Sequence, residues 1–272
     1  MALVEKLQRF MERPAPERRI VLRLKIQDLV GFIRFRVFGA VAHGVTLTSF
    51  HPDSAWVYSE YPEFKELLPQ WLQGNKLNNG GDLVRYYSLI MNIKQILREN
   101  IQGDFAELGV YLGNSAAVLA HFAASSNRLV FLFDTFEGFD KKDLVDVDAQ
   151  KPLGFQNTSL DRVRENVRHE EACIYVKGHF PGSITQQASD RVYAFVHIDC
   201  DLYNPMRDAL QFFYRRLSPG GALFLHDYSS VYWAGAHKAI DEFCSATGER
   251  AILLPDKSGT AVIRKRSSPL NV

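Results

Sequence analysis

Six short apolar runs, at residues 104–108, 129–133, 173–176, 192–198, 221–225 and 250–254, punctuate the chain from Gly103 onward, with helical patterns in most of the gaps. Strands that alternate with helices in this way build a parallel sheet covered on both faces, because each crossover helix lies against the sheet it connects. The end of the chain departs from the pattern. Ala251 to Leu254 and Thr260 to Arg264 are separated only by Pro255-Asp256-Lys257-Ser258-Gly259, too few residues for a crossover helix. These two strands are expected as an antiparallel hairpin at one edge. The expected class is α/β: a mostly parallel sheet of seven strands ending in an antiparallel hairpin.

Upstream, a helix is expected from Asp82 to about Asn100, with Leu83, Tyr86, Tyr87, Ile90, Ile93 and Leu97 on one face. Residues 44–80 are irregular and rich in aromatic and turn residues. The stretch Ile20 to Val41 fits helix and strand periodicity alike, and helix is the favoured reading. The chain is expected to divide into an N-terminal extension, 1–81, and a main domain, 82–272. The whole chain has 32 basic and 31 acidic residues, a formal charge of +1, which argues against a nucleic-acid binder. The first 40 residues nevertheless hold nine Lys/Arg against four Asp/Glu, 9 − 4 = +5. That basic segment is a candidate lid, dimer contact or peripheral contact with an anionic membrane surface. Three cysteines without C-x-x-C spacing fit a reducing compartment. Neither a signal peptide nor a run of 18 apolar residues is seen, so a cytoplasmic location is expected.

The first strand runs through Glu107 into Gly109-Val110-Tyr111-Leu112-Gly113-Asn114-Ser115 and a helix. Ligands of open α/β sheets bind beyond the carboxyl ends of strands, and glycines there let a ligand approach the backbone. The spacing G-x-x-x-G lacks the dinucleotide fingerprint. Glu107 repels a pyrophosphate but suits an ammonium or sulfonium, while Ser115 and the helix start suit a carboxylate. An amino acid carrying a cationic sulfur therefore fits better than a nicotinamide dinucleotide. Asp134 ends the second strand, where a carboxylate grips a ribose diol, and Thr135-Phe136 follows, offering an aromatic face to a purine.

His197-Ile198-Asp199-Cys200-Asp201 ends the fourth strand and Leu225-His226-Asp227-Tyr228 the fifth, after the turn Leu217-Ser218-Pro219-Gly220-Gly221. Adjacent parallel strands set Asp199 and His226-Asp227 side by side, and such a cluster suits a divalent cation: Mg²⁺ or Mn²⁺, with Fe²⁺ and Zn²⁺ open because of the imidazole. Asp201 is expected to cap the next helix, and His197 to be a core histidine.

The segments GDFAELGVYLGNSA, FDTFEGF, VKGHFPGSI, HIDCDLYNP and LSPGGALFLHDY resemble the macrocin O-methyltransferase group of class I S-adenosylmethionine-dependent methyltransferases, which modify sugar hydroxyls of antibiotics and related glycans. ELGVYLGNSA is also similar to the catechol-type O-methyltransferases. The resemblance implies a Rossmann-like fold with Glu107, Gly109, Tyr111, Gly113, Ser115, Asp134, Thr135 and Phe136 around the cofactor and Gly178 and His179 near its adenine. It puts Asp199, His226 and Asp227 on the metal-ligand positions, where the group usually has Asp-Asp-Tyr in place of His226-Asp227-Tyr228. The catechol-type lysine base falls on Leu202. The implied activity is metal-dependent O-methylation of a sugar or glycosylated small molecule by a homo-oligomer, with Asp199, then His226, as proton acceptor. The alternatives are a metal-independent enzyme using His226 as general base and a non-catalytic S-adenosylmethionine-binding protein. Residues 140–160 and the aromatic segment 51–71 are expected to shape the acceptor pocket.

Overall fold

The computed structural model describes residues 61–73 and 81–266, together with Met11, Arg19, Leu22 and Ile26, which are helical and exposed. Apart from those four positions, the expectations for residues 1–60, including a membrane-facing segment, lie outside the described residues.

Seven strands form one sheet: β1 Asp104–Leu108, β2 Val130–Asp134, β3 Cys173–Lys177, β4 Tyr193–Ile198, β5 Leu217–Leu225, β6 Ile252–Leu254 and β7 Thr260–Arg264. Their order is β3-β2-β1-β4-β5-β7-β6, with β7 antiparallel to both β5 and β6 and every other pair parallel. The mostly parallel sheet and its antiparallel edge hairpin are as expected. One boundary differs. The sequence Leu217 to Gly221 reads as a turn, yet β5 begins at Leu217, pairs with Tyr193, and then slips so that Phe195 meets Ala222. Gly220, at φ +79°, lets the backbone bulge out between those pairings.

Helices cover both faces. α1 Glu63–Glu66, α2 Leu68–Leu72, α3 Leu83–Arg98 and α4 Asn114–Ser125 lie on one side; α7 Tyr203–Arg216 and α8 Ala234–Thr247 lie on the other, while the short α5 Leu160–Asn166 and α6 Gln186–Ser189 fill connections. Alternation along the strands sorts the core accordingly: Phe105, Phe195 and Phe224 join the α3/α4 cluster, and Ala106, Val196 and Leu223 the α7/α8 cluster. Central β4 is buried along its whole length, which a parallel sheet sandwiched between helices requires. α3 begins where Asp82 accepts the N–H of Arg85 at 3.2 Å.

The segment 61–71 does not reach the pocket expected of it. Tyr61, Phe64, Leu67 and Trp71 are buried against α3 and α4, and the Trp71 indole donates to the Gly81 carbonyl at 2.8 Å. Their apolar area is worth more in that core than at an open rim.

Candidate active site

A cavity opens beyond the carboxyl ends of β1, β2, β4 and β5. Strand parity decides what faces it. Phe195, His197 and Asp199 share one face of β4, and Phe224 and His226 the same face of β5, so Asp199 and His226 emerge side by side beneath α3. Where β1 leaves the sheet, Gly109 takes φ +89°, and a Cβ there would lie 1.9 Å from the Asp199 carbonyl oxygen. Only glycine allows the two strand ends to cross this closely.

Of the residues expected around a cofactor, Gly109, Tyr111, Ser115, Asp134, Thr135, Gly178 and His179 border the cavity. Glu107, Gly113 and Phe136 stand behind its wall. Register sets Glu107 opposite His197, and both are fully buried, with His197 Nδ1 2.7 Å from Glu107 Oε1. The Ser115 hydroxyl, in the first turn of α4, donates to the same carboxylate oxygen. Burial pushes the Glu107 carboxyl up, against the pull of His197 and Ser115. Gly113, at φ +84°, is the residue from which α4 starts. Phe136 corrects the expectation of a purine platform: at φ +55° its ring turns inward and packs in the α3/α4 core, 1% exposed.

Asp134 lines the cavity, but its carboxylate is occupied by the turns on either side. Oδ2 accepts the N–H groups of Val110 (2.7 Å) and Tyr111 (3.0 Å), and Oδ1 that of Phe136 (2.7 Å). It ties the β1 and β2 turns together, leaving little lone-pair capacity for a ribose diol. His179 is held through Nε2 by Asp143 Oδ2 at 2.9 Å, a partner supplied by the insertion after β2. Burial raises the Asp143 carboxyl.

At the acidic end, His226 Nδ1 lies 2.9 Å from Asp199 Oδ1 and 3.1 Å from Asp227 Oδ2. Arg85, from α3, places Nη1 2.7 Å from the other Asp199 oxygen, and its guanidinium lies 5.3 Å from the centre of the Trp71 ring. Burial and Arg85 oppose a charge on His226, but Asp199 and Asp227 outweigh them and raise the imidazole to about 10. Burial likewise opposes the Asp199 charge, and the His226 and Arg85 cations hold it well below the usual carboxylate range. Asp201 does not cap α7. At φ +61° it turns back among the acidic residues, where burial and then the charges of Asp227 and Asp199 hold its carboxyl well above the usual range. The Tyr203 N–H at the start of α7 is instead taken by Asp148 Oδ2 at 2.7 Å.

The donor set fits a divalent cation. An octahedral ion with bonds of about 2.1 Å holds neighbouring donors about 3.0 Å apart, and the two separations from His226 Nδ1 are 2.9 and 3.1 Å. A cation there would take the place of the Nδ1 proton.

Four features were not singled out from the sequence. Arg85 was detectable in principle, as a charge on the apolar face of α3. Asp143 and Phe155 lie within the segment 140–160 expected to shape the pocket, and the fold singles them out there; Trp233 is brought to the cavity by the fold alone. Phe139 and Phe155 lie ring to ring at 5.0 Å and Phe139 and Trp233 at 5.6 Å.

Known proteins resemble this chain in sequence and fold. The 8-demethyl-8-(2,3-dimethoxy-alpha-L-rhamnosyl)-tetracenomycin-C 4'-O-methyltransferase of Streptomyces olivaceus is 30% identical over 162 residues, 54% of this chain and 61% of that protein. The mycinamicin III 3''-O-methyltransferase of Micromonospora griseorubida is 30% identical over 152 residues, 50% of this chain and 59% of that protein. Each match spans less than two thirds of the relative's own length. Among solved structures, the O-methyltransferase NovP superposes with a TM-score of 0.58 at 20% identity, over 68% of this chain and 80% of that one. The calicheamicin methyltransferase CalS11 gives 0.55 at 19% identity, over 82% and 98%. At such identities the likeness is one of fold, that of the class I methyltransferases. A family model described as macrocin-O-methyltransferase (TylF) matches residues 83–256, more than half of the 272, and the chain therefore belongs to the macrocin O-methyltransferase family.

Proposed function

We propose that this protein is an S-adenosylmethionine-dependent O-methyltransferase that methylates a sugar hydroxyl of a glycosylated small molecule, with a divalent cation held by Asp199, His226 and Asp227. One observation carries the reading: a glycine turn and helix start fit for an amino-acid cofactor open into the same cavity as three converging ligand atoms. Both similar curated proteins act on sugars of natural products, by their names.

Within that cavity the residues divide the work. The N-terminal turn of α4 favours a ligand carboxylate, while the Ser115 hydroxyl proton is committed to Glu107. Gly178 and His179, braced by Asp143, lie on the side suited to a purine. Phe139, Phe155 and Trp233 line the same cavity with adjoining aromatic rings, which suits the apolar face of a pyranose. Asp199, His226 and Asp227 would hold a divalent cation at the acidic end, and the chemistry it would supply there is acidification of a substrate hydroxyl. Asp199, with one oxygen on Arg85 and its carboxyl held well below the usual range, would serve as a cation ligand rather than as the expected proton acceptor, and the hydroxyl proton would leave to solvent as the carbon–oxygen bond forms. The metal-independent alternative is less well supported: an imidazole raised to about 10 between two carboxylates is already protonated at neutral pH and is a poor base.

Incubation with methyl-labelled S-adenosylmethionine and a panel of glycosylated natural products, nucleotide sugars and glycans, with and without EDTA, tests the reading. Label transferred to a sugar oxygen and lost with EDTA is the expected result. Transfer that is indifferent to EDTA removes the cation from the proposal. Failure to bind S-adenosylhomocysteine removes the activity altogether.

A further inference from the structure

His226 meets carboxylates on two sides. Besides Asp199 and Asp227 at Nδ1, it forms a second group with Asp82 and Asp256, whose ligand atoms all lie within 4.8 Å of one another. With Nδ1 engaged, the nitrogen left for that second group is Nε2. Among the described residues, His226 Nε2 and Asp256 Oδ1 are both buried and neither has a hydrogen-bond partner. Asp82 is already committed, accepting the N–H of Arg85 and that of Lys257, each at 3.2 Å. The other oxygen of Asp256 accepts the Thr260 hydroxyl. The two residues offer ligand atoms within 4.8 Å of one another without a bond between these atoms, and a buried donor and a buried acceptor left unpaired are both satisfied if they come together.

An imidazole that binds a metal through one nitrogen almost always donates its other N–H to a carboxylate or carbonyl, which fixes tautomer and ring orientation. We infer that Asp256, from the β6–β7 hairpin, is the outer carboxylate of the cation site: once a cation holds Nδ1, Asp256 closes on Nε2–H of His226, presents the Nδ1 lone pair beside Asp199 and Asp227, and biases the site towards a nitrogen-accepting cation such as Mn²⁺ over Mg²⁺. This rests on the metal reading proposed above. Mg²⁺ favours oxygen ligands and gives up water reluctantly, whereas imidazole suits the transition metals. Arg85 strengthens the bias. Its guanidinium, 2.7 Å from the second Asp199 oxygen, leaves that carboxylate one oxygen to offer and offsets part of the negative charge on which a Mg²⁺ site depends. Asp256 acts through His226 and is a positioning residue.

Mn²⁺ and Mg²⁺ affinities of the full chain, titrated calorimetrically with S-adenosylhomocysteine present, test this. The wild type is expected to prefer Mn²⁺. Asp256→Asn is expected to weaken Mn²⁺ roughly 10–100-fold and Mg²⁺ less, so that the preference falls. His226→Asp is expected to lower the same preference about tenfold as Mg²⁺ gains an oxygen ligand. In pulsed EPR of bound Mn²⁺, ring-nitrogen modulation is expected from the wild type and not from His226→Asp. If Asp256 serves only folding, its replacement weakens both ions in step. That result, an unchanged preference in His226→Asp, or no nitrogen modulation in the wild type overturns the inference while leaving the cation site standing. If the wild type binds neither ion, or Asp199→Asn binds Mn²⁺ as tightly as the wild type, the metal reading falls and takes the inference with it.

Discussion

Asp199 is the residue on which the site turns. Its two oxygens meet different cations, Arg85 on one side and His226 on the other, so the carboxylate is held in a single orientation. Asp199→Asn keeps the shape and removes the charge. It is expected to lower methyl transfer at least about 100-fold while S-adenosylhomocysteine affinity stays within several-fold, measured by label transfer and calorimetry in parallel. Gly109 carries the neighbouring constraint. A methyl group there meets the Asp199 carbonyl oxygen at 1.9 Å and the backbone has φ +89°. Gly109→Ala is expected to cost more than about 2 kcal/mol in urea unfolding, because both strand ends must move apart.

At the level of elements, the insertion between β2 and α5 joins loops that are distant in sequence. Asp148, fully buried, caps the start of α7 through Tyr203 and lies where any side chain at position 235, at the start of α8, would have to go. Lys151 donates to the Tyr232 carbonyl and sits 3.8 Å from the centre of that residue's ring. The Thr158 hydroxyl donates to the Tyr111 carbonyl. Fastened in this way, the insertion presents Phe139 and Phe155 to Trp233 as one aromatic wall. Trp233→Ala is expected to raise the acceptor KM about tenfold with little change in kcat and none in cofactor affinity, as uniform binding energy is lost. A matching fall in kcat would instead place Trp233 in the alignment of the reacting groups.

In the whole molecule, residues 61–73 belong to the same core as α3 and α4. Removing Tyr61, Phe64, Leu67 and Trp71 forfeits roughly 1.5–3 kcal/mol for each buried side chain, which together rivals the 5–15 kcal/mol that typically separates folded from unfolded states. A chain begun at Asp82 is expected to fail to fold cooperatively, and one begun at Tyr61 to melt as a unit by circular dichroism. The boundary at Gly81-Asp82 is visible in the sequence as a turn and a helix cap, but a cap marks the start of an element and says nothing about what packs on it. Hydrophobic periodicity and loop length are local properties, and they sufficed for the alternating strands and helices, the edge hairpin and the glycine turn after β1. Strand register and parity were enough to set Asp199 beside His226, whereas Asp227, next in sequence, reaches them at a positive φ of +63°. The direction in which Phe136 and Asp201 point depends on single positive-φ residues, and the partners of Glu107, Asp134 and Asp199 come from as far as 114 residues away. Such contacts follow from how the layers pack, and only the tertiary structure decides them.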